Sequence, residues 1–482
     1  MKNLYTRSLM LSPVLVILFM IDVDAQSFVY TDNNIQGINS VTAFSVASNG
    51  ALTNIGTFAT GGGGSGDGFF AANRARTCTV GNRLYVTNDS IVSHSVSGFD
   101  INTTTGALSL ISGSPFATGG IAGPAFGISL DCTPNGQFLI AANGASSNIT
   151  VFSIAVNGAL TPVAGSPFAA GGLGPDGIKV APNGQFLSVA LANSDQIGMF
   201  SIAANGALTT VSGSPFASPA TGGVTGVEIN CAGTFLYATQ ANFGGTNVDV
   251  FSIGPNGALT LVQTSNNPGV GDNSNVGALS PNDQFLFVSN QFSNTVTVFN
   301  VAASGALSLV AGSPFGGAGG EPSGIATNAA GTFLFTANVD NSTVTSFSIA
   351  GNGALTSVGN FATGQPGFTG LESLAVFPGK SCSTFIFDVC LQDDSNPGIV
   401  FLGDSQTGAY RFCCGGTVFT GVAQVIRRGN IVTFQDNSSD RRVLATDDES
   451  VHVGKASLQS PPGSIKCTIS DRNTTNNGCA CH

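Results

Sequence analysis

The sequence predicts an all-β protein: a ring of seven four-stranded blades, a β-propeller, followed by a small disulfide-stapled β domain. Three observations predict it. A short hairpin phrase recurs seven times at near-constant spacing. Glycine is abundant, at 65 of 482 residues, while only 9% of residues are charged, a balance that suits many tight turns and not long helices. Seven of the ten cysteines stand at or beyond position 382.

The first 25 residues read as a signal peptide. Lys2 and Arg7 give a positive start, and Met10 to Ile21 is an apolar run too short for a spanning helix. Val23-Asp24-Ala25 offers small residues before the cut, so cleavage is expected after Ala25. No later segment is apolar enough for a membrane span, and export to an extracellular or periplasmic, oxidising compartment follows as the expectation.

Residues 26–379 carry the repeat. The phrase appears as Asn49-Gly50-Ala51-Leu52, Thr105-Gly106-Ala107-Leu108, Asn157-Gly158-Ala159-Leu160, Asn205-Gly206-Ala207-Leu208, Asn256-Gly257-Ala258-Leu259, Ser304-Gly305-Ala306-Leu307 and Asn352-Gly353-Ala354-Leu355. Its glycines are 56, 52, 48, 51, 48 and 48 residues apart, the length of one propeller blade. Asn-Gly tolerates positive φ at both central positions, so a two-residue type I′ hairpin is predicted. Alternating runs flank it, such as Val151-Phe152-Ser153-Ile154 before and Leu160-Thr161-Pro162-Val163 after; these are the two outer strands of a blade.

The inner half of each blade repeats as well. Phe138-Leu139-Ile140, Phe186-Leu187-Ser188-Val189, Phe235-Leu236-Tyr237, Phe285-Leu286-Phe287-Val288 and Phe333-Leu334-Phe335 follow turns rich in Asn, Asp and Gly. A short strand such as Gly177-Ile178-Lys179-Val180 precedes each turn. Phe28-Val29-Tyr30 is a second strand without its inner partner, and Leu374-Ala375-Val376-Phe377 is an inner strand without followers. Pairing them closes the ring and protects edges that would template aggregation. Ser-Pro-Phe, at residues 114–116, 166–168, 214–216 and 313–315, closes four outer strands, its phenylalanines expected to pack between blades. The run Gly61–Gly68 lacks the Lys and helix of a phosphate loop and reads as a flexible connection.

Residues 380–482 form the Cys-rich C-terminal β domain, with short runs such as Thr417-Val418-Phe419 and Asn430-Ile431-Val432-Thr433-Phe434. At least two disulfides are expected within 382–481, with one thiol left over or bridged to the propeller. Cys78 and Cys132 hold equivalent places on successive inner strands, which are expected to lie too far apart to bridge. Residues 26–379 hold 14 acidic and 4 basic residues, so nucleic acid is excluded as a partner by charge. A monomer is the expected state.

Leu84-Tyr85-Val86-Thr87-Asn88 and the Asn-Gly-Ala-Leu hairpins resemble the lactonase-type seven-bladed propellers, which include 6-phosphogluconolactonase, carboxymuconate cyclase relatives and surface proteins with Tyr-Val-Thr-Asn repeats. The resemblance covers about residues 27–379. It implies a lactone-opening activity using His and Arg at the starts of inner strands, in segments resembling Gly-Pro-Arg-His. The matching segments here are Gly174-Pro175-Asp176-Gly177, Glu321-Pro322-Ser323-Gly324 and Gly123-Pro124-Ala125-Phe126-Gly127, and all three lack both residues.

Lactone hydrolysis needs a base or metal to activate water and a cation to steady the oxyanion. The propeller has one histidine, His94, placed by the strand reading in the loop between second and third strands. Arg74 and Arg76 precede an inner strand and are candidates for the channel mouth. Asp176, Glu321 and Glu372 stand at or before inner strands, and Asp32, Asp89, Asp195 and Asp340 in loops on the same face. Converging carboxylates suit Ca²⁺ or Mg²⁺, whereas isolated turn aspartates need no metal. The candidate catalytic residues are therefore His94, Arg74, Asp176 and Glu321, and the candidate metal ligands Asp176, Glu321 and Glu372. The missing His and Arg favour a non-catalytic protein that binds an extracellular ligand or surface partner. The fold alone supports the alternative, an extracellular lactonase acting at the channel mouth. A purely structural envelope role is compatible with the low charge.

Overall fold

The computed structural model describes residues 26–446 except 67–74, 79–81, 91–92, 121–126, 220–221, 241–245, 268–273, 366–372, 381, 383–385, 394–395, 405–408, 415–416, 423, 429–430 and 437–440; from 386 onward it describes backbone strands alone. Among the described residues every regular element is a strand. Six blades run in chain order, their inner strands at Ala75–Cys78, Ile128–Cys132, Pro175–Val180, Val224–Ile229, Ser274–Leu279 and Pro322–Thr327. Each inner strand is followed outward by three more in sheet order.

The seventh blade is shared by the two ends of the propeller. Leu374–Phe377 is its inner strand, and Phe28–Asp32, Ser40–Val46 and Leu52–Ala59 are the rest. Phe28 lies opposite Phe377, Val29 opposite Val376, Tyr30 opposite Ala375 and Thr31 opposite Leu374. The expected closure is met in register. Each of the seven interfaces between neighbouring blades holds its own apolar cluster. The core is therefore a circle of sheet-on-sheet contacts, and hydrophobic burial locks the ring as it fills each interface.

The hairpin phrase builds a different turn from the one the sequence predicts. Ala47 N–H donates to Ala51 O at 2.8 Å and Gly50 N–H to Ala47 O at 2.8 Å. Gly50 has φ +84°, while Asn49 is not among the residues with positive φ. This is a three-residue loop, a type I turn closed by a left-handed glycine. Asn49 acts through its side chain, whose Oδ1 accepts Ala51 N–H at 3.1 Å; Asn157, Asn205, Asn256 and Asn352 repeat that bond. The glycine is also required by its neighbour. A Cβ on Gly50 would stand 2.4 Å from the Phe333 ring of the adjacent blade, and Gly257 and Gly353 meet Phe186 and Phe285 in the same way at 2.6 Å.

Two further repeats hold the blades. An amide at the end of the second strand donates to hydroxyls of the third: Asn88 to Ser97 at 2.8 Å, Asn290 to Thr297 at 2.8 Å and Asn338 to Thr345 at 2.8 Å. The Asn of Tyr-Val-Thr-Asn thus ties strands two and three together. In the Ser-Pro-Phe blades the fourth strand stops early, and the Ser hydroxyl takes its place, accepting the backbone N–H of Gly98, Val151, Met199 or Val298 at 3.1, 3.0, 2.8 and 2.8 Å. Phe116, Phe168, Phe216 and Phe315 then pack into the clusters between blades, as expected.

Two further expectations are corrected. Cys78 and Cys132 are bridged, their Cα atoms 5.9 Å apart; the inner strands crowd the axis, so equivalent positions come within disulfide reach. The glycine run is pinned where it is described: Gly62 O accepts Asn39 N–H at 2.8 Å and Gly64 N–H donates to Ile35 O at 2.8 Å. The bridge to the propeller that the odd cysteine count allows is present: Cys382 pairs with Cys231 of the fourth blade. The side chains of Cys390, Cys413, Cys414, Cys467, Cys479 and Cys481 lie outside the described residues. The later chain forms a four-stranded antiparallel sheet from Ile386 to Val422 and a three-stranded one from Gln424 to Thr446.

Candidate functional site

Neighbouring inner strands are aligned start to start. Gly177 of the third blade abuts Thr225 and Gly226 of the fourth, Lys179 pairs with Glu228 at 2.8 Å, and Asp131 of the second blade accepts Val180 N–H at 2.8 Å. The ring thus has two distinct mouths, one at the inner-strand starts and one at their ends. Asp176 and Glu321 both belong to the start mouth.

Asp176 lies inside the strand Pro175–Val180 and is only 4% exposed. The strand carries a register shift between Pro175 and Ile178. Next to Asp176 there is no room for a side chain. A Cβ on Gly177 would come within 2.6 Å of Thr225 O and 2.9 Å of Gly226 Cα, both backbone atoms. Ser323, the counterpart of Asp176 in the sixth blade, is buried, and its carbonyl accepts the Ser289 hydroxyl at 2.6 Å.

Glu321 is the most unusual of the predicted residues. Its φ is +54°, a left-handed backbone that the matching blade reaches with Gly174 at +63°. A residue with a Cβ is strained there by about 1–2 kcal/mol, and such strain concentrates at functional sites. Asn294 Oδ1 accepts the Glu321 N–H at 2.7 Å, and Gln291 Nε2 donates to its carboxylate at 3.4 Å. Burial raises the carboxyl above the usual Glu range; the nearby Asp340 charge raises it further, and the Gln291 hydrogen bond opposes both. Of the sequence-predicted residues, Glu321 and Asp340 are therefore brought together. Gln291 and Asn294 join them unforeseen, since they come from the preceding blade.

The other described candidates lie apart from Glu321, in other blades. His94 is not in a loop: it belongs to the strand Ser93–Ile101, is 3% exposed and lies opposite Asp89 in register, because the second and third strands of that blade extend further than the alternation implied. Asp32 and Asp89 likewise belong to strands, Phe28–Asp32 and Arg83–Ser90. Asp32 accepts Asn34 N–H at 3.2 Å and Asn39 Nδ2 at 2.8 Å. Asp195 accepts Gly223 N–H at 2.6 Å and Gly222 N–H at 3.3 Å, so it caps the approach to the next blade. Arg76 lies within the inner strand Ala75–Cys78, not ahead of it. Arg74 and Glu372 fall outside the described residues. Among the described residues no group of three or more His, Cys, Asp or Glu could hold a metal ion.

A family model described as lactonase, 7-bladed β-propeller, matches residues 37–224 and 233–369. The chain belongs to this family. Its fold is similar to that of the Pseudomonas aeruginosa periplasmic gluconolactonase, with 19% identity, 71% of this chain and 97% of that one covered, and a TM-score of 0.60. It is also similar to a candidate 6-phosphogluconolactonase of Bacteroides fragilis, with 22% identity, coverages of 74% and 99%, and a TM-score of 0.59. A Lactobacillus plantarum protein matches at 18% identity over 73% and 99% of the two chains, with a TM-score of 0.57. No curated protein matches the chain. At these identities the likeness speaks for the fold and leaves activity to the residues.

Proposed function

We propose that this protein is an exported lactonase-fold propeller that binds an extracellular ligand or surface partner at the start mouth without hydrolysing it. The carrying observation is the closed space at Gly177. The family resemblance asks for an imidazole there, and a side chain of any kind would run into the fourth blade's backbone. Beside it stands Asp176 where the resemblance asks for a cation. Loss of a single oxyanion donor lowers rates about 10²–10³-fold, and the imidazole that the resemblance implies as general base is missing from the matched segments as well. Carboxylates and amides at the mouth favour a neutral, hydroxyl-bearing or cationic ligand over a phosphorylated one. Export to an extracellular or periplasmic space is part of this reading, supported by the N-terminal segment and the two described disulfides.

A second reading is favoured by Glu321. A strained carboxylate with a raised pKa is the kind of group that serves as a general base, and a lactone hydrolase built on it would act at the same mouth, with Ca²⁺ or Mg²⁺ in a supporting role. Lactone turnover separates the two. The mature protein is mixed with glucono-δ-lactone or 6-phosphogluconolactone, with EDTA or with millimolar Ca²⁺ or Mg²⁺, and acid release is followed. We expect the buffer rate in every arm. Turnover well above buffer that disappears in Glu321→Gln overturns the binding reading and establishes the second.

A further inference from the structure

The four cysteines paired among the described residues all stand at one mouth of the ring. Cys78 and Cys132 end the inner strands of the first and second blades. Cys231 lies two residues beyond the inner strand of the fourth blade, which ends at Ile229. Cys382 lies five residues beyond the closing inner strand, which ends at Phe377. The candidate carboxylates, by contrast, stand at the inner-strand starts.

The second disulfide has a particular geometry. Its Cα atoms are 4.9 Å apart, and it joins positions 151 residues apart in the chain. The chain leaves the seventh blade at Phe377 and is bonded at Cys382 to the fourth. In a ring of seven, the fourth position is as far from the seventh as any can be. A connection between them is the longest diagonal of the heptagon and passes close to its centre. Five residues span at most about 17 Å when extended, so the path has little slack to detour around the rim.

A second anchor fixes the same stretch. Lys380 Nζ pairs with Asp283 Oδ1 of the fifth blade at 2.8 Å, and both side chains are largely shielded. The other oxygen of Asp283 accepts Cys231 N–H at 2.6 Å. Asp283 itself is held at a left-handed φ of +55° in the turn that joins the inner and second strands of its blade. One carboxylate thus ties the departing chain to the partner of its disulfide, and the three contacts form a single latch. Pro378, Gly379, Lys380 and Cys382 are all partly buried.

We propose that the chain leaving the seventh blade, anchored at Lys380 and Cys382, is a disulfide-locked strap that closes the end mouth of the channel. The propeller then has one open mouth, the one carrying Asp176 and Glu321, and reduction of Cys231–Cys382 to two thiols by an added dithiol, which is itself oxidised to its disulfide, opens the second. The inference does not depend on whether the ligand is hydrolysed. It also fixes where the C-terminal residues begin, at the closed mouth, which leaves the candidate site uncovered by the first residues of that segment.

The test uses the full mature chain and trypsin, for which Lys380 is the site in the strap. In the oxidised protein the bond after Lys380 is expected to resist cleavage. In the Cys231→Ser, Cys382→Ser double variant it is expected to be cut at least tenfold faster, read on reducing gels. Hydrogen exchange should then rise at residues 279–283 and 378–382, and stay unchanged at 175–178 and 322–325. Asp283→Asn keeps the disulfide and provides a second arm should the double variant not fold; losing the ion pair is expected to speed cleavage several-fold. Equal cleavage in wild type, double variant and D283N overturns the proposal. So does peptide mapping that finds Cys382 bonded to any cysteine other than Cys231.

Discussion

Gly353→Ala isolates the physical logic of the repeat, because Gly351, two residues earlier, supplies its control. Gly353 has φ +83°, and a Cβ there would lie 2.6 Å from both Cδ1 and Cε1 of Phe285. The backbone term for an alanine in that conformation is about 1–2 kcal/mol. Relaxed carbon contacts are about 3.5–4.0 Å, so the ring must retreat by roughly 1 Å. Phe285 is buried in the cluster between the fifth and sixth blades, where overpacking typically destabilises by about 1–3 kcal/mol. The lower entropy of the unfolded alanine chain returns about 0.4–1 kcal/mol. The net expectation is a loss of about 2–4 kcal/mol. Gly351 has no atom within 4 Å of its would-be Cβ and an ordinary φ, so Gly351→Ala should be neutral or slightly stabilising. Urea unfolding of the two variants, compared at constant m, reads the difference. A Phe285→Ala background removes the clash and should reduce the G353A effect to its backbone part. Equal midpoints for G351A and G353A would refute the argument, and an undiminished effect in the F285A background would refute the steric half.

The Cys78–Cys132 bridge closes a loop of 54 residues, so replacing both cysteines with Ser should lower stability by about 4 kcal/mol in the chain-entropy picture; mapping of non-reduced peptides should recover the linked pair, and two free thiols would contradict the structure. Glu321 has a folded pKa above its unfolded one, so the folded state holds more protons between the two values and stability falls as pH rises through that window. Glu321→Gln should therefore be at least as stable as wild type at pH 7 and should flatten the pH profile above the ordinary Glu pKa; a loss of stability in E321Q at pH 7 would count against the assignment.

The fold was legible because the chain repeats its own instructions. Seven hairpin glycines at near-constant spacing, and half-blades at either end, are enough to set blade number and closure, and the register of Phe28 with Phe377 follows. The turn type is not legible in the phrase alone, because Asn-Gly fits two hairpin geometries and the pairing of Ala47 with Ala51 makes the loop three residues long. The Cys78–Cys132 bridge is not legible in the repeat, because blade-to-blade spacing near the axis is a property of ring closure that no single repeat encodes. The strand position of His94 is not legible either, because strand length past the alternation is a tertiary matter. Gln291 and Asn294 escaped notice because they reach Glu321 from another blade.

A repeat array carries an internal standard, and departures from it separate structural substitutions from functional ones. Arg83 stands where all six other blades present a phenylalanine to a hairpin glycine; it is compensated by Asp100 at 3.3 Å and by the carbonyl of Val156. Gln240 and Asp249 replace the usual amide and hydroxyl of the second and third strands, and they compensate each other at 2.9 Å. Each of these exchanges restores a contact that the pattern would have supplied. Glu321 is different. It replaces the glycine that the matching turn uses, accepts left-handed strain, and sets its carboxylate near a second negative charge, Asp340. The Asn294 and Gln291 hydrogen bonds hold it in place without removing either penalty. Local rules broken without an evident local gain are expected at functional sites, and by that criterion Glu321 supports the proposal that the start mouth is where a ligand binds.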